Sequence, residues 1–159
     1  MQLNEEDREL IGIYQRAGSE LAQAIEGLSG PDLDRTRETG KWSIREIVHH
    51  IVDCDMNYFQ INRYALADTG ETYFFPVFDA GVWNRTMQYA MRSVEMEVKL
   101  FGAMRDYIAY LCTGLPGAME RTLVHQHGRA QVRDAIRHDI AHAAHHIRQI
   151  RETRSVHRL

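Results

Sequence analysis

The sequence predicts an all-α protein, a four-helix bundle, and three observations carry that prediction. Helix breakers are scarce, with 3 prolines and 11 glycines among 159 residues, which leaves long stretches free to stay helical. Four long segments repeat apolar residues at the three-four spacing of an α-helix. Hydrophobic residues make up 44% of the chain, enough for one sizeable core in a single domain over residues 1–159.

The first segment runs over residues 4–28. Asn4 can cap it, Glu5, Glu6 and Asp7 suit its first turn, and Leu10, Ile13, Ala17, Leu21, Ala24 and Leu28 form one stripe. Ser29-Gly30-Pro31 ends it. The second covers residues 43–67. Ser43-Ile44-Arg45-Glu46 fits a capping box, and Trp42 before it can staple against Ile47. Asp68-Thr69-Gly70 stops it. A loop bearing Phe74, Phe75, Pro76 and Phe78 follows, too aromatic to float in solvent, and is expected to pack over one end of the core. The third reads as one long helix from residue 79 or 82 to 112, lined by Val94, Val98, Phe101, Ile108 and Leu111, with Met87, Met91, Met96 and Met104 as core fillers. Gly114-Leu115-Pro116-Gly117 ends it, and residues 118–130 read as irregular with a short extended piece near 123–125. The fourth spans residues 131–153, where Val132, Ile136, Ile140, Ala143, Ile147 and Ile150 keep the helical spacing. The second connection is long enough to cross over the bundle, so simple up-down order is left open.

Charge and cysteine usage narrow the function classes. The net charge of −3 gives no reason to expect a polyanion or nucleic-acid binder. Of the 19 basic residues only Lys41 and Lys99 are lysines. Arg148, Arg151, Arg154 and Arg158 read as a solvated helix end, or as an attraction for an anionic ligand. No early apolar run resembles a signal peptide and no stretch could span a bilayer, so no membrane partner is expected. Cys54 and Cys112 make no disulfide framework, which fits a reducing cytoplasm. No phosphate loop, nucleophile elbow or recognition helix is present.

The nine histidines are the unusual feature, four of them between His138 and His146. Each helical residue turns about 100°. In the fourth segment His146 then lies roughly 70° and His142 roughly 110° from the centre of the apolar stripe, while His138 and His145 lie roughly 150° and 170° away and face outward. His142 and His146 are one turn apart on the same flank, so both rings can point at one ion. In the second segment His50 leans inward, roughly 100° off the stripe, and His49 points outward at roughly 160°. If the two segments are neighbours, three neutral imidazoles form an open metal site suited to zinc, nickel or another late divalent ion. The alternative, histidines that merely flank their helices, stays open on these residues alone. Asp55 on the stripe side is a candidate orienting acid or base, and Gln149 can orient His146. Glu46 with His49, paired with Asp139 and His142, would be a di-iron arrangement, but Glu46 and His49 read as outward. His125 and His127 can rim a site or have no role, and Cys54 reads as a small buried hydrophobe.

Trp42-Ser43-Ile44-Arg45-Glu46-Ile47-Val48-His49-His50 resembles the opening of the second helix in the DinB/YfiT-like metalloenzyme superfamily, with His50 eight residues after the Trp. His142-Ala143-Ala144-His145-His146-Ile147-Arg148-Gln149 resembles that family's fourth-helix motif, with Arg148 standing where a glycine is often found. The resemblance implies a four-helix bundle, a divalent metal on His50, His142 and His146, and often a homodimer. It also implies candidate chemistry: transfer of a small thiol, ranked first, or metal-dependent hydrolysis, each acting on a small-molecule substrate. The expectation is therefore a cytoplasmic, dimeric metal-dependent enzyme that activates a thiol or water. The rival readings are a non-catalytic, stress-associated bundle with a structural or vestigial ion, and a metal-free helical dimer.

Overall fold

Local side-chain chemistry sets the helix ends. In the computed structural model, which describes residues 3–159, Asn4 accepts the Asp7 amide at the start of α1 (Glu5–Ile25). A single turn, α2 (Gly30–Leu33), follows. The expected capping box opens α3 (Ile44–Ala67): Ser43 Oγ accepts the Glu46 amide and Glu46 accepts the Ser43 amide. α3 closes on Asp68 in the left-handed region, at φ 49°, a conformation that Asp tolerates better than most residues.

The third segment is not one helix, as its periodicity predicts. It breaks into α4 (Ala80–Thr86), a 3-10 turn at Tyr89–Met91 and α5 (Glu95–Gly114). Long-range contacts override the local pattern here. Tyr89 is fully buried and its hydroxyl bonds Asp53 on α3, while the Arg92 carbonyl accepts Arg45 Nη1 at 3.0 Å. Gln88 pays for the turn with a left-handed backbone, φ 52°. The fourth segment is α6 (Val132–His157). Residues expected to be irregular instead form a hairpin of β2 (Thr122–His125) and β3 (Gly128–Gln131), and β1 (Thr72–Tyr73) pairs parallel to β2. The all-α expectation thus holds for the bundle, with a three-stranded sheet added at one end.

α1 packs against α5 and α6, and α3 packs against the same two helices. α1 is therefore diagonal to α3, and α5 to α6. The long second connection joins neighbours; the first and third connections make the diagonals. α1 and α5 approach closely at Gly18, where an added Cβ would stand 3.0 Å from Gly102 Cα. Among the described residues, no helix is long and apolar enough to cross a membrane.

The core has two apolar clusters, one around Ile44, Ile51, Phe101 and Ile147, the other around Tyr14, Ile108, Leu123 and Ile136. Arg105 lies between them, fully buried. Its guanidinium sits 4.4 Å from the Tyr14 ring centroid and 4.5 Å from that of Phe101. It donates to Asp55 Oδ1 at 2.7 Å and to the carbonyls of Tyr14 and Asp139 at 3.1 Å each. Even so, burial pushes the Asp55 carboxyl up to about 6. Of the four methionines expected in the core only Met104 is buried; Met87, Met91 and Met96 are exposed, because the break before α5 turns their positions outward.

Arg105→Met should leave Asp55 as an uncompensated buried charge and lower stability by about 3–5 kcal/mol in urea denaturation. Adding Asp55→Leu should recover most of that loss, since an apolar pair of similar volume replaces a buried ion pair at little cost.

Candidate metal centre

Because α3 and α6 are neighbours, the inward flank of one faces that of the other. His50 from α3 and His142 and His146 from α6 meet there. His50 Nε2 lies 3.1 Å from His146 Nε2. Ring centroids are 4.6 Å apart for His50 and His146, 5.4 Å for His50 and His142, and 4.6 Å for His142 and His146. The three residues predicted from spacing are thus brought together.

Burial decides their protonation. Desolvation, then the neighbouring His146, holds His50 down at about 4. Desolvation, then His146 and His50, holds His142 at about 3. His146 is also lowered, mainly by burial and against the Gln149 hydrogen bond. All three rings are therefore neutral near pH 7, the form that donates a lone pair to an ion. His146 Nδ1 donates to Gln149 Oε1 at 2.8 Å. That bond fixes the tautomer and leaves Nε2 as an acceptor facing His50. Gln149 therefore stands where the sequence places it.

Other side chains wall the cluster. Trp42 meets His50 edge-on at 4.8 Å, and Phe78 of the aromatic loop lies 6.4 Å away. Tyr58 stands edge-on to both His138 and His142, at 5.0 and 5.3 Å. Its only sequence signal is its place two turns beyond His50. Cys54 offers a competing donor set, since its sulfur and nitrogens of His50 and His142 lie within 4.8 Å of one another. The sulfur, however, is 3.7 and 3.8 Å from the two His50 nitrogens. Near-equal distances place it on neither lone-pair axis, and burial pushes the thiol up to about 12. Nε2 of His146, aimed at that of His50, is the other candidate third donor.

Several expectations need correction. Asp55 reaches Arg105 and hydrogen-bonds none of the three imidazoles, so it orients no ring. His49 is buried rather than outward: Nδ1 is 3.1 Å from Glu97 Oε1, Nε2 is 3.3 Å from the Arg92 carbonyl, and the ring stacks on Tyr89 at 5.3 Å. Helical periodicity alone turns His49 outward, but the 89–97 segment packs on a face of α3 that a bundle alone would leave in solvent. The di-iron arrangement does not form, since Glu46 caps α3 and Asp139 accepts Asn62 Nδ2 at 2.7 Å. His138 and His145 are exposed, as expected. His125 and His127 lie at the hairpin end beside Phe75, at 4.9 and 6.4 Å.

Beside the cluster opens a cavity of about 310 Å³ lined by Arg37, Lys41, Trp42, His146 and Gln149, among others. Among the described residues, the arrangement is a partly buried nitrogen donor set with solvent access on one side.

The model of the DinB superfamily matches residues 13–150. A protein of Oceanobacillus iheyensis is 29% identical over 133 residues, 82% of this chain and 75% of that one. A protein of Geobacillus kaustophilus is 25% identical over 125 residues, 79% of this chain and 69% of the other. Both carry the name "putative metal-dependent hydrolase". The solved structure of YfiT from Bacillus subtilis, described as a probable metal-dependent hydrolase with an unusual four-helix bundle topology, aligns with a TM-score of 0.84 at 22% identity, over 96% of this chain and 89% of that one.

The lowered histidines fix the acid response of the metal-free chain. Unfolded imidazoles titrate near 6.5, so below that pH the unfolded state binds more protons than the folded one. The histidine contribution to stability is then present above about 6.5 and lost as the pH falls toward about 4. Asp55, raised in the fold, acts in the opposite sense. In chelator, His50→Gln should lose roughly 2 kcal/mol less than wild type between pH 7 and 4.5, measured by chemical denaturation.

Proposed function

The chain belongs to the DinB superfamily, and from that premise we propose that it is a divalent-metal-dependent hydrolase, with His50, His142 and His146 as the ligands. The observation that carries the reading is the convergence of three neutral imidazoles, two of them with nitrogens 3.1 Å apart. Three nitrogens, with the Cys54 sulfur set off both His50 lone-pair axes, suit zinc or nickel and leave a position open. A divalent ion in such a set supplies Lewis acidity and makes a water acidic enough to attack near neutral pH. Gln149 holds the His146 tautomer. Trp42 and Phe78 exclude water from two sides of His50. The cavity beside His146 admits a small-molecule substrate.

Transfer of a low-molecular-weight thiol is the second reading, favoured by Lys41 at that cavity, which suits a carboxylate of an anionic thiol, while Arg37 there is paired with Glu152 at 2.7 Å. A structural or vestigial ion without turnover is the non-catalytic rival. Zinc-loaded protein should hydrolyse members of an ester and amide panel without added thiol. Turnover only with a thiol would favour the second reading, and none with either would favour the rival. His50→Ala and His146→Ala should abolish stoichiometric metal after dialysis, and Gln149→Leu should weaken metal affinity about 10–100-fold. Retention of wild-type stoichiometry in both histidine variants would remove the site.

We also propose a homodimer, in the cytoplasm, where Cys54 and Cys112 would stay reduced. On α5 the exposed residues Met96, Leu100, Ala103, Tyr107 and Tyr110 repeat every four and three positions, the spacing of a helix–helix seam. An antiparallel pairing centred on Ala103 sets Lys99 of one copy beside Asp106 of the other, which joins opposite charges. Tyr107→Glu should convert the dimer to a monomer in sedimentation equilibrium. A monomeric wild type at the same concentration would refute the assembly.

A further inference from the structure

The sheet end of the α3/α6 seam carries a second cavity of about 370 Å³, open to solvent on one side and within the usual range of small-molecule sites, about 300–1,000 Å³. α3 gives it Tyr58 and Ile61, α6 gives Ala135 and His138, and the hairpin gives Leu123 and Ala130. Phe75 brings the aromatic loop over it. The wall is apolar except at Asp134 and at the His138–Asp139 pair, whose Nδ1 and Oδ1 are 3.5 Å apart. Alanines at two wall positions keep the space open. The apolar part of this wall stands against water, which is unfavourable in proportion to its area. An apolar ligand group would cover that surface.

This cavity and the three histidines lie in register on the same seam. On α6, Ala135, His138, His142 and His146 follow one another at intervals of three or four residues, along one flank. On α3, His50, Cys54, Tyr58 and Ile61 do the same. The Tyr58 ring touches His142 on one side and lines the cavity on the other. Ala135 stands seven residues from His142, about 10 Å along the helix axis.

We infer that the substrate is amphiphilic, with its reacting group at the histidine cluster and an apolar acyl or aryl group, reaching about 10 Å past it, seated between the hairpin and the α3/α6 seam. The inference rests on the metal-dependent reading for the reacting end, but the cavity is testable by itself.

The test is isothermal titration of acetate, butyrate, octanoate and 4-phenylbutyrate into zinc-loaded and into metal-free protein. Affinity should rise about three- to fourfold per added methylene between butyrate and octanoate. The rise should persist without metal, so a failure of the metal reading leaves the cavity result standing. Ala135→Trp and Ala130→Trp fill the space and should bring octanoate down to the level of butyrate; Ala22→Trp, on the exposed face of α1, should not. Octanoate should also shift the methyl resonances of Ile61 and Leu123 in the wild-type protein, which covers the case of a variant that fails to fold. Octanoate binding no tighter than butyrate, or unshifted methyls at those two residues, would overturn the inference.

Discussion

The side-by-side packing of α3 and α6 is the constraint on which the candidate centre depends. Neither helix holds enough nitrogen donors alone: α3 brings His50, and α6 brings His142 and His146. Their contact follows from the diagonal arrangement, which pairs α1 with α5 across the bundle from this seam. The same seam continues toward the sheet as an apolar cavity and toward the C-terminal half of α6 as a polar one. One helix pair thus supplies a donor set flanked by two unlike environments, and the chemistry of any ligand that spans them is set by that contrast.

The protein also concentrates its desolvation cost in two places. At the histidine cluster, burial disfavours the charged imidazolium and so favours the ligand form. At Arg105, the opposite solution is used: a charge is kept, but between two aromatic faces, two carbonyls and the Asp55 carboxylate. Arg105 is held by α1, α3 and α6 at once, while it sits on α5. A single side chain therefore ties all four long helices together.

Much of this was legible in the sequence, for identifiable reasons. Helix ends follow local rules, and Asn4 and Ser43 cap where those rules place them. His50, His142 and His146 lie on flanks that helical periodicity alone can compute. What escaped depends on long-range packing. The break between α4 and α5 follows from Tyr89 reaching Asp53 and from Arg92 meeting Arg45 and His49, contacts that no window of local sequence contains. The same segment covers His49, which periodicity alone turns outward. The hairpin was foreshadowed only near Leu123, because its strands are short and its partner β1 lies fifty residues upstream. Asp55 shares a face with the inward residues, and periodicity cannot tell a carboxylate aimed at an imidazole from one aimed at an arginine.

The separation of the donors along the chain has a kinetic consequence. His50 and His146 are 96 residues apart, and α6 is the last of the four long helices to leave the ribosome. Contacts of such long range form late, after the entropy of closing the intervening loop has been met. A nascent chain presents His49 and His50 on α3 without the two α6 imidazoles that later face His50. The three-histidine cluster is thus assembled only when the final helix docks, so any ion held there would meet a finished scaffold and not the growing polypeptide.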